Sequence, residues 1–212
     1  MSAACPWEVT PALSAPRLTL LARLAVEARA SALADARRDE GDTNWGLGCR
    51  AYERFVHRLV KAAGSGDNPW LDLLRDGLSF TVVVEGVLLR AYTGRADKPE
   101  LKHVLAAQVE LERADDKQLA LPFLGGPAPA PVIEDASFVW LMAVETDEAG
   151  AASRVVFFQA NPEGHTRNAW DAPMAEIAPK PAVSGDRDRV PARRRPPPRR
   201  GAPPVARPLF AD

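Results

Sequence analysis

Apolar residues return every three to four positions over two long stretches near the start of the chain. Leu20, Leu21, Leu24, Ala28 and Ala32 follow Thr10-Pro11 and Ser14, either of which can cap, and this spacing predicts an Ala-rich amphipathic helix to about Arg38. Asp39-Glu40-Gly41-Asp42 breaks it. Thr43 or Asn44 then caps a second helix whose apolar positions are Trp45, Cys49, Tyr52, Val56, Leu59, Val60 and Ala63. That helix stops at Gly64-Ser65-Gly66-Asp67-Asn68-Pro69, residues that suit turns and end helices.

The pattern then changes to short apolar runs. Residues 70–74, 78–85 and 87–93 read as three strands rich in Val, Leu and aromatics, separated by Asp76-Gly77 and Glu85-Gly86. Asp-Gly between apolar runs signals a two-residue hairpin because Gly accepts the positive φ of the turn, and Glu-Gly is a weaker form of the same signal. Asp97-Lys98-Pro99-Glu100 has the N-cap acid, early Pro and Glu three positions on that open a third helix, continuing through Leu101, Val104, Leu105 and Leu111 to near Asp115. A Gly/Pro/Ala linker spans 124–134. A second strand group follows at 137–145, 154–160 and 165–170, with turns at 147–150 and 161–164.

These elements predict an α+β domain over 1–177, with helices covering one face of a mostly antiparallel sheet built from two three-stranded meanders. From 178 to 212 the composition changes. Nine prolines interleaved with arginine and little to bury cannot repay chain entropy, so a disordered Arg/Pro-rich tail is expected. The tail carries nine basic residues against three acidic ones, a net of about +6, which leaves about −7 on residues 1–177. An acidic body wears a basic tail.

The whole chain has 212 residues, 46% of them hydrophobic, with a formal net charge of −1. This argues against wholesale disorder and against a surface basic all over for nucleic acid. Nothing in Met1 to Val9 reads as a secretory leader, and no run approaches the roughly 18 apolar residues of a membrane helix. Cys5 and Cys49 are read as free thiols in a reducing cytoplasm, and the Ala, Arg and Pro usage as bacterial in style.

Signatures of catalysis do not hold together. Gly46-Leu47-Gly48-Cys49-Arg50-Ala51 has the letters of a dinucleotide fingerprint, but Asp42 to Trp45 ahead of it is no buried strand. His57, His103 and His165 lie in three different elements, without the paired spacing of a zinc site. Asp72 or Asp76 followed by Glu85 resembles the acidic half of a metal-dependent phosphodiesterase site, yet Val87 stands where such sites place lysine. Cys49 falls on an apolar stripe, where a thiol packs as a small hydrophobe. No Gly-x-Ser-x-Gly elbow or Walker loop occurs. Neither a catalytic residue, a metal nor a cofactor is expected from the sequence. An enzyme of unfamiliar type would need a pocket from distant residues, for instance Glu85, Arg90, Tyr92 and His103.

Interaction features remain. Gln118-Leu119-Ala120-Leu121-Pro122-Phe123 resembles the hexapeptide by which bacterial DNA polymerases and repair proteins dock on the replication sliding clamp. In that resemblance Leu119, Leu121 and Phe123 fill a groove and the Gln118 amide makes polar contacts at its edge. The same alternation is what a half-buried strand requires. In the tail, Arg193, Arg194, Arg195, Arg199 and Arg200 on an extended scaffold suit phosphates or an acidic protein. The expected function is a cytoplasmic, non-enzymatic interaction or adaptor protein with a protein partner and weak nucleic-acid contact through the tail. The alternative is a replication or repair accessory factor docking through Gln118 to Phe123.

Overall fold

The structure is a computed structural model that describes residues 4–76, 79–119 and 138–177. It opens with a single turn, α1 (Pro6–Val9), where the Glu8 carboxylate accepts from the Cys5 amide at 2.8 Å. α2 (Ala15–Ala34) follows Ser14 and carries Pro16 in its first turn, where a missing N–H costs nothing. A 3₁₀ turn at Arg38–Glu40 leads to α3 (Asn44–Gly64), whose Thr43 hydroxyl accepts from the Gly46 amide at 3.1 Å. Three strands, β1 (Leu71–Asp76), β2 (Ser79–Val84) and β3 (Val87–Thr93), precede α4 (Leu101–Leu119). β4 (Val139–Thr146), β5 (Ala152–Ala160), β6 (Thr166–Asp171) and a last turn, α5 (Met174–Ile177), complete the described chain.

The strands form one six-stranded sheet in sequence order, and the two expected meanders are its halves. Val84 pairs with Val87, leaving Glu85-Gly86 as a two-residue turn with φ of 51° and 86°. Positive φ at both positions gives the turn a twist matching the strands it joins. The meanders meet at β3 and β4, which pair in parallel from Leu89↔Trp140 to Thr93↔Val144. A parallel pair needs a crossover, and α4 lies within that connection.

Helices cover both faces of the sheet, so the expectation of a single covered face is corrected. Trp140, Met142 and Val144 of β4 join Phe157, Val82 and Leu89 in a core with Leu18, Leu21 and Ala25 of α2 and with Phe55 and Leu59 of α3. The alternate residues Val139, Leu141 and Ala143 pack with Val156, Phe158, and Val104 and Ala107 of α4. Side chains alternate along a strand, so these two clusters lie on opposite faces. The unbroken apolar run Val139 to Val144 is buried at every position, as a strand covered on both sides demands.

Three helix boundaries and the buried face of α3 also differ from expectation. α3 buries Leu47, Ala51, Phe55, Val56 and Leu59, whereas Trp45 is 81% exposed and Cys49, Tyr52 and Val60 also face solvent. The packing with α2 sets this rotation. Arg58 pairs with Glu27 of α2 at 2.9 Å, and Arg54 with Asp35 at the end of α2 at 2.6 Å and with the Ser31 hydroxyl at 2.8 Å, while Arg50 pairs with Asp42 of the connection before α3 at 2.7 Å. With that flank turned toward α2, small residues such as Ala51 do the packing. α2 ends at Ala34, short of Arg38. α4 begins at Leu101 because the Asp97 carboxylate takes the Arg95 guanidinium, at 2.9 and 2.6 Å, and does not cap the helix. It runs past Asp115 to Leu119.

Replacing Phe157, fully buried and 5.8 Å from the Trp170 ring, by Ala should lower the unfolding free energy by about 3–5 kcal/mol. Trp45→Ala should change it by less than about 0.5 kcal/mol, which reverses the order implied by the sequence stripe. Urea unfolding of the two variants checks both.

Candidate interaction face and cleft

α4 carries apolar residues on two sides. Val104 and Ala107 enter the sheet, while Leu101, Leu105 and Val109 are 51%, 44% and 43% exposed. The outward three are spaced by four residues and so form a ridge along the helix. Of the apolar positions that mark this helix in the sequence, Val104 is buried while Leu101 and Leu105 are exposed.

Beneath α4 lies a polar layer. Glu110 accepts from the Thr81 hydroxyl and from Arg90, tying α4 to β2 and β3. The Tyr92 and His103 rings stack at 4.5 Å between centroids and 21° between planes. Burial holds the Tyr92 phenol above its usual titration range, helped by the charges of Glu145, Glu100 and Asp97, and its hydroxyl donates to the Arg95 carbonyl at 2.9 Å. Burial is also the main cause lowering the His103 pKa, with Lys102 adding to it, Glu100 opposing and Arg90 adding a little more. Arg90, Tyr92 and His103 thus share one face of the sheet. Glu85 is elsewhere, in the β2–β3 turn, bound by Arg17 at 3.0 Å. The four-residue pocket considered from sequence is therefore not assembled.

On the α2/α3 side, a cleft of about 60 Å³ opens at the C-terminal ends of β3 and β4. Ala25 and Arg29 of α2, Ala51, Tyr52 and Phe55 of α3, and Phe80, Thr93 and Val144 of the sheet line it. Phe80 packs against Tyr52 and Phe55 at ring separations of 5.0 and 5.8 Å, giving an aromatic wall. Arg29 is only 6% exposed, and its Nε donates to the Gly150 carbonyl at 2.7 Å. Burial lowers the Arg29 pKa, against the attraction of Asp147. Gly150 is required there, because its φ is 89° and an added Cβ would come within 2.8 Å of Leu47 Cδ2. Arg29 was not singled out from sequence. Its signal was a charged residue on the Ala25, Ala28, Ala32 stripe of a helix, where a charge is costly unless it has a task.

Other sequence candidates are placed as follows. Gln118 and Leu119 end α4, and Leu121, Phe123 and the 124–134 linker lie outside the described residues. So do Arg193, Arg194, Arg195, Arg199 and Arg200. Gly46 and Gly48 are helical in α3. Cys49 is exposed, correcting its assignment to a buried stripe, because α3 turns its Leu47 and Ala51 flank inward. The Asp72 carboxylate accepts from the Leu73 amide at 2.7 Å, and Glu85 is committed to Arg17, so the acidic pair is not a joint site. His57 is exposed on α3, and His165 lies in the β5–β6 turn, where Asn161 Oδ1 accepts its amide at 2.9 Å. Among the described residues no group of three His, Cys, Asp or Glu side chains is placed to hold a metal, and no helix is long and apolar enough to cross a membrane. Comparison with family models, with curated proteins and with solved structures finds no match to this chain.

His103 gives a pH prediction. Its folded pKa lies below the ordinary 6.5, so above about pH 7 both states are neutral and it has no effect. As pH falls through 6.5 the unfolded chain binds the proton first, and stability should drop until the lowered folded pKa is reached. The urea midpoint should fall between pH 7.5 and 5.5 in the wild type, and less in His103→Gln.

Proposed function

We propose that this chain is a non-enzymatic interaction protein whose folded body binds a protein partner through α4. The observation that carries this reading is the Leu101, Leu105, Val109 ridge, a solvent-facing apolar line on a helix already anchored through its other side. An amphipathic helix of the partner suits it best. Three side chains at four-residue spacing extend about 12 Å along the axis and form the kind of ridge that fits between the ridges of a second helix. Covering each completely contributes up to about 1.5–3 kcal/mol, of which the half already buried is spent in the free protein. The adaptor reading places the chain in the cytoplasm of a bacterial cell, with the basic tail as a second contact.

A photo-crosslinking residue at position 105 identifies the partner, and titration with the purified partner then tests the face. Leu105→Glu with Val109→Glu should weaken binding at least about 100-fold while leaving the melting temperature close to wild type. Undiminished binding by a folded double variant would overturn the reading.

The sharper form assigns the partner as a bacterial sliding clamp, engaged by Gln118, Leu119, Leu121 and Phe123, with the tail arginines reaching DNA. What supports it beyond the hexapeptide is its position. Gln118 and Leu119 form the end of α4, where the final carbonyls lack helical partners and the backbone opens at little cost into the extended form that a groove requires. Leu121→Ala with Phe123→Ala should abolish binding to purified clamp by surface plasmon resonance, and truncation after Ala178 should leave clamp binding intact while removing salt-sensitive DNA binding.

A further inference from the structure

We infer that the cleft between α2, α3 and the sheet is a binding site for a small carboxylate with an apolar body, held by Arg29. The site lies on the face of the sheet opposite α4 and is independent of the interaction surface proposed above.

The argument begins with a charge that is expensive where it stands. Arg29 is only 6% exposed and lines the cleft together with Ala25, Ala51, Phe55 and Val144. Buried guanidinium groups are ordinarily paired with a carboxylate. Among the described residues none lies within ion-pair distance of Arg29; Asp147 acts on it only through space, and its carboxylate accepts from the Ala151 amide at 2.8 Å. A single hydrogen bond, from Nε to the Gly150 carbonyl, orients the group. Among the described residues the two terminal nitrogens have no hydrogen-bond partner. A planar guanidinium with Nε fixed and both Nη free offers the donor pair that a carboxylate takes up through both oxygens.

The rest of the cleft defines the remainder of the ligand. Tyr52, Phe55 and Phe80 supply an aromatic wall and Ala25, Ala51 and Ala91 the small residues that leave the space open. Thr93, Tyr52 and Tyr92 are the other lining residues that carry a hydroxyl, that of Tyr92 being committed to the Arg95 carbonyl. One cation in an apolar enclosure matches a monoanion with a hydrocarbon body. A phosphate, with two charges and more lone pairs to satisfy, would be left short of donors. The space of about 60 Å³ limits the body to a branched aliphatic or single-ring acid, since a water needs roughly 10–15 Å³ on the same measure.

The full chain is titrated with benzoate and with isobutyrate, and in parallel with the neutral amides benzamide and isobutyramide, by saturation-transfer NMR and calorimetry. Saturable binding of at least one acid is expected, with its amide at least about tenfold weaker. Arg29→Met should weaken the acid by a similar factor. Ala51→Leu narrows the cleft while keeping the Arg29 charge and should do the same, which keeps the test decisive if Arg29→Met does not fold. Absence of saturable binding by both acids, equal binding of acid and amide, or undiminished binding in folded Ala51→Leu would each overturn the inference and leave Arg29 as a tie between α2 and the β4–β5 turn.

Discussion

The parallel pairing of β3 with β4 is the constraint on which the rest of the structure depends. It joins two antiparallel meanders into one sheet and brings α4 into the connection, on the side opposite α2 and α3. Once both faces are covered, the central strands have no side on which to expose polar residues. Leu141, Met142 and Ala143 are accordingly fully buried in succession. Polar side chains that enter this layer are tied together, as Thr81 and Arg90 Nη1 are on Glu110, while Arg90 Nε is buried without a hydrogen-bond partner among the described residues. On the other face Arg29 has no carboxylate within ion-pair distance among the described residues and is held through Nε by the Gly150 carbonyl.

Much of the local architecture was legible from the residues, because turns and short strands are governed by neighbours in sequence. Glu85-Gly86 between apolar runs predicts the turn whose two positive φ angles are observed, and Thr43 caps the helix that it precedes. The parallel join was not legible, since antiparallel meanders look alike whether or not a helix separates them. One clue was available in Val139 to Val144, an uninterrupted apolar run that favours a strand covered on both sides. The rotation of α3 was equally out of reach. Large apolar residues at Trp45, Tyr52 and Val60 outweigh Ala51 in a sequence stripe, yet the arginines at 54 and 58 reach across to α2 and its C-terminal cap and turn the helix. Asp97 failed as a cap for a similar reason, because Arg95 two residues away takes its carboxylate.

The candidate surfaces divide along the same line. α4 was legible as a helix but not as one with two apolar sides, because burying Val104 and exposing Leu105 depends on which strands lie beneath. The cleft was not anticipated at all: its lining comes from α2, α3 and three strands, and only the chain's return through β4 brings Val144 beside Ala25 and Phe80. The exposed ridge and the enclosed arginine thus sit on opposite sides of one sheet. They differ in physical character, the first suited to area burial against a helix and the second to recognition of a charge.

The turn at residues 147–150 has a wider role than closing a hairpin. Its Gly150 carbonyl is held by Arg29 of α2, the Ala149 carbonyl lies 3.4 Å from Arg38 Nη2, and Gly150 itself passes against Leu47 of α3. The arginine that lines the cleft is therefore the same one that fixes this turn. Two binding events sharing one rigid planar group are thermodynamically coupled, and the coupling acts equally in both directions. A shift of the Arg29 head toward the cleft lengthens its hold on Gly150, and a displacement of the turn withdraws the charge from the cleft. The β4–β5 turn and α2 are thus held to one another at the wall of the cleft.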